Sequence, residues 1–335
     1  MPASIKDKRF QPLDNFLFLR DISARDRGWD FNRSAANHVT DYYRRTGYKK
    51  LADRVSLCAR RLTFKLMKEV DGTVELKLKT AFLCHVRLCP ICQKARTRAK
   101  QFKLFNGLPK LIQENKTMRF LFLTLTVKNC ELKDLRNTSK WMSESFTKML
   151  KRKSVNSYIS GYIKSLEITK SPTYLAHPHF HVLLAVKSEY FSRGYLSQAD
   201  WTSLWKDSLK SDYTPIVDIR TIVSDDRNLS DIQRVSNAVK EVAKYMIKPM
   251  DLIGKGSKDD CKFFIELSNQ IKGIKAFNCS GIFTDYLKDT EPDEEEIFNS
   301  HNTEIEDEDQ DSELSKLEEI EFYYNNDQCS YVSSN

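Results

Sequence analysis

Three of the six histidines lie within five residues, in the run His177-Pro-His-Phe-His. On a strand, side chains two residues apart point to the same face, so His179 and His181 would lie about 6.5 Å apart at Cα and share one ion. Pro178 and the approach of a turn make His177 a poorer match to this geometry. The competing interpretation is a pair of half-buried polar histidines that bind no metal.

Glu167 supplies a third candidate ligand. It lies on the apolar segment before the histidines, and an antiparallel return of the chain would place it beside them. Two imidazoles and one carboxylate leave open coordination positions, an arrangement suited to Mg²⁺ or Mn²⁺ that holds a phosphate oxygen. An exposed strand position with no ligand role is the alternative for Glu167.

A tyrosine and a glutamate form the next constellation. Glu241 and Tyr245 are four residues apart on a helix predicted over 231–247, so they would share one face. Lys248 follows on the same side, and Lys244 lies about a quarter turn away. A tyrosine supported by a lysine can act as a covalent nucleophile, with Glu241 as general base. The alternative is an ordinary surface pair on a charged helix.

Four of the eight cysteines are clustered. Cys89 and Cys92 form a CxxC pair, which is usual in zinc knuckles. Apolar residues alternate on both sides of an Asp-Gly turn at 71–72, which predicts a hairpin with Cys58 opposite Cys84 at its open end. Four thiolates would then form the closed tetrahedral shell of a structural zinc site.

The sequence leaves two alternatives to this zinc site. His85 could replace Cys84, but neighbours on an extended strand point to opposite faces, which favours Cys84. A set of reduced, buried cysteines is the other interpretation. Disulfides are not expected, because the absence of a signal peptide or a run of ~18 apolar residues predicts a cytoplasmic protein with no membrane partner.

Charge is divided unevenly along the chain. Residues 289–335 hold 17 acidic residues and one basic residue, which leaves 53 basic and 29 acidic residues, a net of +24, in residues 1–288. The division predicts a DNA-binding body and a disordered acidic tail. Basic side chains near the cysteines and the tyrosine are predicted to contact phosphate: Arg87, Lys94, Arg96, Arg98, Lys100 and Lys244.

The pattern of apolar residues predicts the remaining elements. Strands are expected at 120–127, 162–169, 180–186 and 216–222, and helices at 92–115, 132–151, 197–209 and 231–247. Pro109 is a point where the first of these helices can break. Four segments follow from this: 1–55 of unclear structure, 56–115 with the zinc hairpin and basic helix, 116–288 as the core, and 289–335 as the tail.

These motifs, in this order, resemble the HUH endonucleases, specifically the rolling-circle replication initiators of small bacterial plasmids. The run FLFLTLTV at 120–127 resembles their first motif, PHFHVLL at 178–184 the second, and EVAKYMIK at 241–248 the third. The run CHVRLCPIC at 84–92 is similar to their zinc-binding segment. The likeness covers residues 55–288 and excludes the acidic tail.

The resemblance implies an α+β fold, an antiparallel sheet with flanking helices, preceded by the zinc module. It implies that His179 and His181 bind the divalent ion and that Tyr245 attacks one phosphodiester, keeps the 5′ end as a phosphotyrosine and frees a 3′-OH primer. Glu241 would direct water at termination, and Lys248 would orient the metal or a phosphate.

The implied partners are origin DNA in double- and single-stranded form, a host DNA helicase and a host polymerase, with a homodimer as one permitted assembly. Two other functions stay open at this point. One is a relaxase or single-strand transposase that uses the same chemistry, and the other is a zinc-dependent DNA-binding regulator without catalysis.

Overall fold

The structure is a computed structural model that describes residues 16–23, 26, 28–68, 74–222, 238–244, 246–287 and 319–334. The chain forms two compact units. The first joins Met1–Arg98 to Pro292–Asn335, and the second comprises Ala99–Glu291. Each unit contains a five-stranded antiparallel sheet, so the predicted α+β class is confirmed. No helix within these described ranges is both long and apolar enough to cross a membrane.

The elements are numbered in chain order over the described residues. The strands are β1 (Phe16–Phe18), β2 (Arg61–Lys68), β3 (Val74–Ala81), β4 (Arg119–Thr126), β5 (Ile159–Lys170), β6 (Ala176–Val186), β7 (Val217–Thr221), β8 (Phe277–Gly281), β9 (Glu319–Asn325) and β10 (Ser330–Ser334). The helices are α1 (Leu19–Ile22), α2 (Gly28–Arg45), α3 (Lys49–Leu57), α4 (Pro90–Glu114), α5 (Leu135–Leu150), α6 (Lys153–Asn156), α7 (Glu189–Arg193), α8 (Gln198–Leu209), α9 (residues 238–242), α10 (Pro249–Ile253), α11 (Lys258–Gln270) and α12 (Ile282–Leu287).

The second sheet has the order β7-β4-β6-β5-β8 and is buried on both faces. On one face, Leu183 of β6 packs in a cluster with Leu108 of α4, Val242 of α9 and Phe283 of α12. On the other face, Phe180 packs against helix α5. Helices on both sides explain why residues 120–123 of β4 and 182–186 of β6 are continuous apolar runs, and they hold β5 and β6 at the centre of this unit.

The first sheet has the order β1-β10-β9-β2-β3. β2 and β3 form the predicted hairpin, although its turn at 71–72 lies outside the described residues. Leu66 pairs with Leu76, and the register shifts between Thr63 and Phe64. A bulge of this kind bends a strand, and here it lies near the hairpin's open end, where the cysteines were predicted to meet.

The predicted disordered tail is wrong for residues 319–334, because this segment forms β9 and β10. β9 pairs with β2, and β10 pairs with β1. Phe322 and Tyr331 are fully buried. Acidic residues conceal the strand pattern in the sequence, yet Glu321 forms an ion pair with Arg61 of the hairpin. The alternation of apolar residues, and not the net charge, decides the structure here.

Two helices of the first unit come from the region whose structure the sequence left unclear. α2 and α3 are joined by three residues, in which Gly47 has φ +83°. Trp29 and Tyr42 of α2 are almost completely buried, and Tyr331 packs edge-on against Trp29. These helices therefore share their core with the C-terminal strands.

Helix α4 passes through Pro109 without the expected break. Leu104, Leu108 and Leu111 on either side are buried in the core of the second unit. At Gly107 an added Cβ would lie 2.5 Å from the carbonyl oxygen of Tyr286 in α12. Close packing on both sides of the proline therefore outweighs the lost backbone hydrogen bond.

Candidate metal centres

Four cysteine sulfurs converge in the first unit. Cys58 follows α3, Cys84 follows β3, and Cys89 and Cys92 lie at the start of α4. Their Sγ atoms all lie within 4.8 Å of one another, and Cys92 Sγ is 3.6 Å from Sγ of both Cys58 and Cys84. All four are buried. The predicted group is confirmed as one that can hold a metal ion, and four thiol donors suit zinc.

Cys84 and not His85 joins this group, as predicted, but for a different reason. β3 ends at Ala81, so both residues lie in a loop and not on an extended strand. His85 has the left-handed φ of +55°, and its side chain is exposed. The backbone of this loop, and not strand alternation, therefore selects the sulfur.

Arginine side chains brace the loop around the cysteines. Arg54 donates to the carbonyl oxygen of Cys84 at 2.5 Å. Arg96 donates to the carbonyl oxygens of His85 at 2.9 Å and Arg87 at 3.1 Å. Each bond satisfies a backbone acceptor of the loop. Arg96 thus has a structural contact, and its predicted phosphate contact stays a prediction.

The thiols are close enough for each to change the protonation of the next. A hydrogen bond with Cys84 raises the pKa of Cys58 far above its usual range. The same bond lowers the pKa of Cys84 far below it. The group therefore favours a mixture of thiol and thiolate, and a bound cation would complete the deprotonation.

The second unit holds a triad of ligand atoms, formed by Glu167 of β5 and by His179 and His181 of β6. The register places Glu167 directly opposite His179. Glu167 Oε2 lies 2.9 Å from Nε2 of His181 and 3.4 Å from Nε2 of His179. All three ligand atoms lie within 4.8 Å of one another. The predicted antiparallel return is correct, and the triad can hold a metal ion.

Hydrogen bonds to the other ring nitrogens orient both imidazoles. His179 Nδ1 lies 3.2 Å from the carbonyl oxygen of His177. His181 Nδ1 lies 3.4 Å from the hydroxyl of Thr124, which faces it on β4. The carbonyl oxygen of His177 can accept a hydrogen bond from Nδ1 of His179 and so orient Nε2 toward a metal ion, which is the arrangement of metal-ligating histidines.

Glu167 is ionised in this environment. Burial alone would raise the pKa of Glu167, but its contacts with His179 and His181 outweigh burial and hold that pKa well below the usual range. The Glu167 side chain is 7% exposed and the histidine side chains 11% and 12%. The triad therefore presents a charged carboxylate at a site that stays in contact with solvent.

His177 lies outside the triad, as predicted. Its Nδ1 is 2.8 Å from Oδ1 of Asn129. Its ring lies 5.3 Å from that of His179. His177 therefore supports the metal-binding strand through its backbone carbonyl and offers a natural control for the two ligands.

The segment around the predicted nucleophile differs from a continuous helix. α9 ends at residue 242, and Ile168 N donates to the carbonyl oxygen of Met246 at 2.7 Å. Lys248 is extended, as expected before a proline, and exposed. The predicted helix to residue 247 is therefore wrong at residues 243, 244, 246 and 247. The backbone at Met246 accepts a hydrogen bond from β5 beside Glu167 instead. Tyr245 itself lies outside the described residues.

Glu241 stands at the end of α9. Its carboxylate forms an ion pair with Lys244, and both side chains are about two-fifths exposed. Lys244, predicted to bind phosphate, thus has a carboxylate partner three residues away. The pair lies on a surface from which Glu241 can exchange protons with solvent.

Comparisons with known proteins agree with this geometry. A family model described as "Replication protein" matches residues 75–332. The chain belongs to this replication protein family. A "Protein rep" from Bacillus amyloliquefaciens is 36% identical over 303 residues, which cover 82% of this chain and 86% of the relative. A "Protein rep" from Streptococcus pneumoniae is 35% identical over 252 residues, or 73% and 75% of the two chains. No solved structure matches.

Membership in the replication protein family confirms the resemblance to the rolling-circle initiators of plasmids. It also extends that resemblance. The model match includes residues up to 332, and so it contains β9 and β10 of this replication protein, which the sequence motifs left out.

Three further basic residues of this replication protein were predicted to touch DNA. Lys94 lies over the ring of Trp29, 5.7 Å from its centroid, and burial lowers the pKa of Lys94 to about 8. Lys100 lies over the ring of Phe277 at 5.3 Å. Arg98 is partly buried. Lys94 and Lys100 therefore make internal aromatic contacts, and their roles in DNA binding, like that of Arg98, stay predictions.

Sequence reasoning missed two features that support the triad. Thr124 lies in β4, where threonine alternates with leucine at 123–126. That alternation was the signal in the sequence that one face of the strand is polar. Lys170, three residues beyond Glu167, forms a 2.5 Å ion pair with Asp260, whose side chain is 3% exposed. That pair joins β5 to the first turn of α11 in this replication protein, and no local pattern relates two residues ninety positions apart.

Proposed function

We propose that this initiator of plasmid replication is a metal-dependent, site-specific single-strand DNA endonuclease and strand transferase. The observation that carries the proposal is the triad of Glu167, His179 and His181. Both Nε2 atoms approach one ionised carboxylate oxygen at the centre of a rigid sheet, and the histidine side chains are 11% and 12% exposed. Three donors leave positions for a substrate, which a closed structural site would not.

The donor set suits a hard or borderline divalent ion, and Mg²⁺ or Mn²⁺ is proposed. Two imidazole nitrogens and one carboxylate are among the ligands such ions accept. When bound, the ion would polarise a phosphate oxygen and favour attack at phosphorus. His179 and His181 would hold it, while Thr124 and the carbonyl of His177 keep the rings oriented.

Tyr245 is proposed as the nucleophile. Its phenolic oxygen would form a bond to phosphorus, and the bond from phosphorus to the 3′ oxygen would break. The departing 3′ oxygen takes a proton and becomes a primer hydroxyl, while the 5′ phosphate stays on the tyrosine. The neighbouring Met246 is anchored to β5 next to Glu167, which supports the assignment.

Glu241 and Lys248 are proposed to assist at different steps. Lys248 is exposed at the start of α10 and can neutralise a non-bridging phosphate oxygen. Glu241 can accept a proton from the water that later attacks the phosphotyrosine, and hydrolysis would then free both the tyrosine and the 5′ phosphate. Lys244 forms an ion pair with the Glu241 carboxylate.

Initiation also defines the proposed partners. The protein would bind origin DNA as a duplex and cut it where one strand is exposed, because neither the ion nor the tyrosine reaches a phosphodiester otherwise. A host helicase would unwind the parental duplex, and a host polymerase would extend the 3′-OH. A homodimer is the assembly proposed for a symmetric origin.

The test uses the full chain with labelled single-stranded oligonucleotides that tile the origin region of the parent plasmid, with Mg²⁺ or Mn²⁺. The wild type should give a covalent protein–DNA adduct on a denaturing gel and a 3′ end that a polymerase extends. Tyr245→Phe should give no adduct, while Tyr195→Phe, at a tyrosine that is 66% exposed, should behave as wild type. Adduct formation by Tyr245→Phe at the wild-type rate would reject the nucleophile.

A second variant separates cutting from release. Glu241→Ala should form the adduct normally and release it slowly. Lys244→Gln removes the same ion pair without removing the carboxylate, so it should release normally. Equal defects in both variants would assign the effect to the ion pair and not to the base. Absence of cutting by the wild type with every divalent ion would favour a non-catalytic DNA-binding regulator.

A further inference from the structure

We propose that α3 and the groove beside it form a duplex-DNA-binding surface of the first unit. The surface consists of Lys49, Lys50, Leu57, Arg60 and Phe82, and it is called the α3 surface below. The inference rests on the proposed function in one respect, since it names where the origin duplex would bind before a strand is cut.

The first argument is charge. Residues 44–61 contain seven basic residues and one acidic residue. Lys49, Lys50 and Arg60 are exposed. Within the described part of the chain, no carboxylate forms an ion pair with any of these three. Cations without a protein partner are available to phosphate, and each phosphate they neutralise releases counterions.

The second argument is the shape of the helix pair. α3 is nine residues long and follows α2 after a three-residue turn, a connection that helix-turn-helix motifs also use. Ala52 and Val55 are completely buried and fix one side of α3. Lys50 and Leu57 lie on the opposite side and face solvent, and Lys49 is exposed at the N-terminal end of the helix. A short helix fixed on one side and free on the other fits the width of a major groove.

The third argument is the groove at the end of α3. It has a volume of about 700 Å³, and Leu57, Arg60, Thr80 and Phe82 line it. Leu57 is 56% exposed and Phe82 is 59% exposed, among the most exposed large apolar side chains of the described residues. Large apolar side chains within a basic surface suit contact with thymine methyl groups or insertion at a base step.

Charge also decides between DNA and a second copy of the chain as the occupant. A symmetric dimer through the α3 surface would bring the same patch of each copy together. Lys49, Lys50 and Arg60 would then face their own counterparts, and like charges at an interface cost several kcal/mol. A polyanion meets no such penalty.

Two neighbouring arginines are excluded from the contact set, because they have structural partners. Arg61 pairs with Glu321 of β9, and Arg54 donates to the carbonyl of Cys84. The second bond joins α3 to the cysteine cluster. Removal of zinc should therefore release α3 from the cysteine cluster and weaken duplex binding. Charge alone would not predict this effect, because zinc removal changes no basic residue of the α3 surface.

The charge is tested with a fluorescein-labelled 30-bp duplex of random sequence and the zinc-loaded full chain. Replacing Lys49 and Lys50 together by Ala should weaken binding about tenfold or more at low salt. It should also reduce the slope of log affinity against log salt by about two, since each contact contributes about 0.9. The matched control replaces Lys151 and Lys153, exposed lysines of the second unit, by Ala. Equal losses in both double variants would overturn the proposal.

The apolar contacts are tested by the preference for plasmid DNA. Replacing Leu57 and Phe82 together by Ser should abolish the preference for fragments of the parent plasmid over random duplex and leave the salt slope unchanged. The control is Phe31→Ser, at a phenylalanine of α2 that is 49% exposed. If the Leu57 and Phe82 variant instead changes the sedimentation of the free protein and keeps its DNA preference, the surface is a contact between copies and the proposal fails.

Single-strand cutting separates this inference from the proposed function. All α3-surface variants should cut a single-stranded origin oligonucleotide at the wild-type rate, because the triad lies in the other unit. Wild-type protein that binds duplex through Lys49 and Lys50 yet never cuts would refute the endonuclease and leave the α3 surface standing. If the protein cuts single-stranded DNA but its duplex binding does not change when Lys49 and Lys50 are replaced, the endonuclease proposal stands and the α3 surface is refuted.

Discussion

The two candidate metal centres of this protein differ in how completely the chain surrounds them. Cys58, Cys84, Cys89 and Cys92 are between 0% and 2% exposed, and four donors close a tetrahedral shell. The triad has three donors, and its histidine side chains keep about a tenth of their surface in contact with solvent. A complete donor set is expected to stabilise a fold, whereas an incomplete one leaves room for a phosphate.

The two centres also differ in the secondary structure that holds their ligands. Cys58 and Cys84 lie in loops, and Cys89 and Cys92 lie at the start of α4. Arginine side chains donate to carbonyl oxygens of the loop at Cys84 and His85. The triad lies on β5 and β6, whose neighbours are buried on both faces. Loops tied to an ion suit a site that folds with its metal, and a prebuilt sheet suits a site that must keep its geometry without one.

The largest effect is expected from the closed centre. Cys89→Ser should abolish zinc binding and remove most of the stability that the metal gives the first unit, on the order of 10 kcal/mol for structural zinc. Zinc content by atomic absorption and the thermal unfolding profile measure this. Cys329→Ser, at an exposed cysteine outside the cluster, is the control. A zinc-free preparation with the wild-type melting profile would contradict the prediction.

The open centre should respond in activity and not in stability. His181→Ala is expected to lower the rate of single-strand cutting about 10³-fold, since a lost metal contact costs several kcal/mol of transition-state stabilisation. The melting temperature should change little. His177→Ala, two residues outside the triad, should retain most activity. If both variants lost the same cutting activity, the effect would come from disturbance of β6 and not from loss of a metal ligand.

The ion pair behind the open centre should give a smaller, pH-dependent effect. Burial would raise the pKa of Asp260, but Lys170 and Ser257 outweigh it and hold that pKa well below its usual range. A depressed pKa stabilises the fold above about pH 4, and this contribution is lost as pH falls through the folded-state pKa. Asp260→Asn should therefore destabilise by about 3 kcal/mol at pH 7.

The check for Asp260 is chemical denaturation of both proteins across pH. The difference in unfolding free energy between wild type and Asp260→Asn should shrink steadily below about pH 4. Lys262→Ala, which removes an exposed ion pair of the same helix with Asp259, should cost under 1 kcal/mol at every pH. A difference that is constant with pH would show that the carboxylate's charge contributes nothing.

The smallest effect is expected from the acidic segment. Replacing its eleven acidic residues between 293 and 313 by Asn and Gln should tighten binding to random duplex about fivefold at low salt, because it removes competing charge. The gain should vanish at high salt. A chain that ends at residue 318 should instead lose stability, because it lacks β9 and β10. If the gain in affinity over the wild type were the same at low and high salt, the idea that the acidic segment competes with DNA for the basic residues would be wrong.

Much of the site followed from local spacing. Strand alternation placed His179 and His181 on one face, and an antiparallel return brought Glu167 opposite. Hairpin symmetry brought Cys58 to Cys84. These inferences were correct because each depends on the period of a strand or on the residues next to a turn, which the sequence states directly.

The errors arose where distant residues decide the structure. Pro109 does not break α4, because Leu104, Leu108 and Leu111, before and after it in sequence, pack into the core of the second unit. α9 stops at residue 242 because Met246 binds Ile168 of β5. The charged segment 319–334 forms strands because β1 and β2 lie ready to pair with it. None of these partners is close in sequence.

The pairing of β10 with β1 and of β9 with β2 has a consequence for synthesis. In the first sheet β1 and β2 pair with strands from much later in the sequence, so the ribosome must synthesise β9 and β10 before that sheet can close. The sheet of the second unit is built from strands between Arg119 and Gly281 and has no such requirement. A product that terminates before β9 would keep the residues of the proposed cutting site and lack a finished first sheet. If the α3 surface binds duplex DNA as proposed, synthesis of β9 and β10 would decide which molecules can do so.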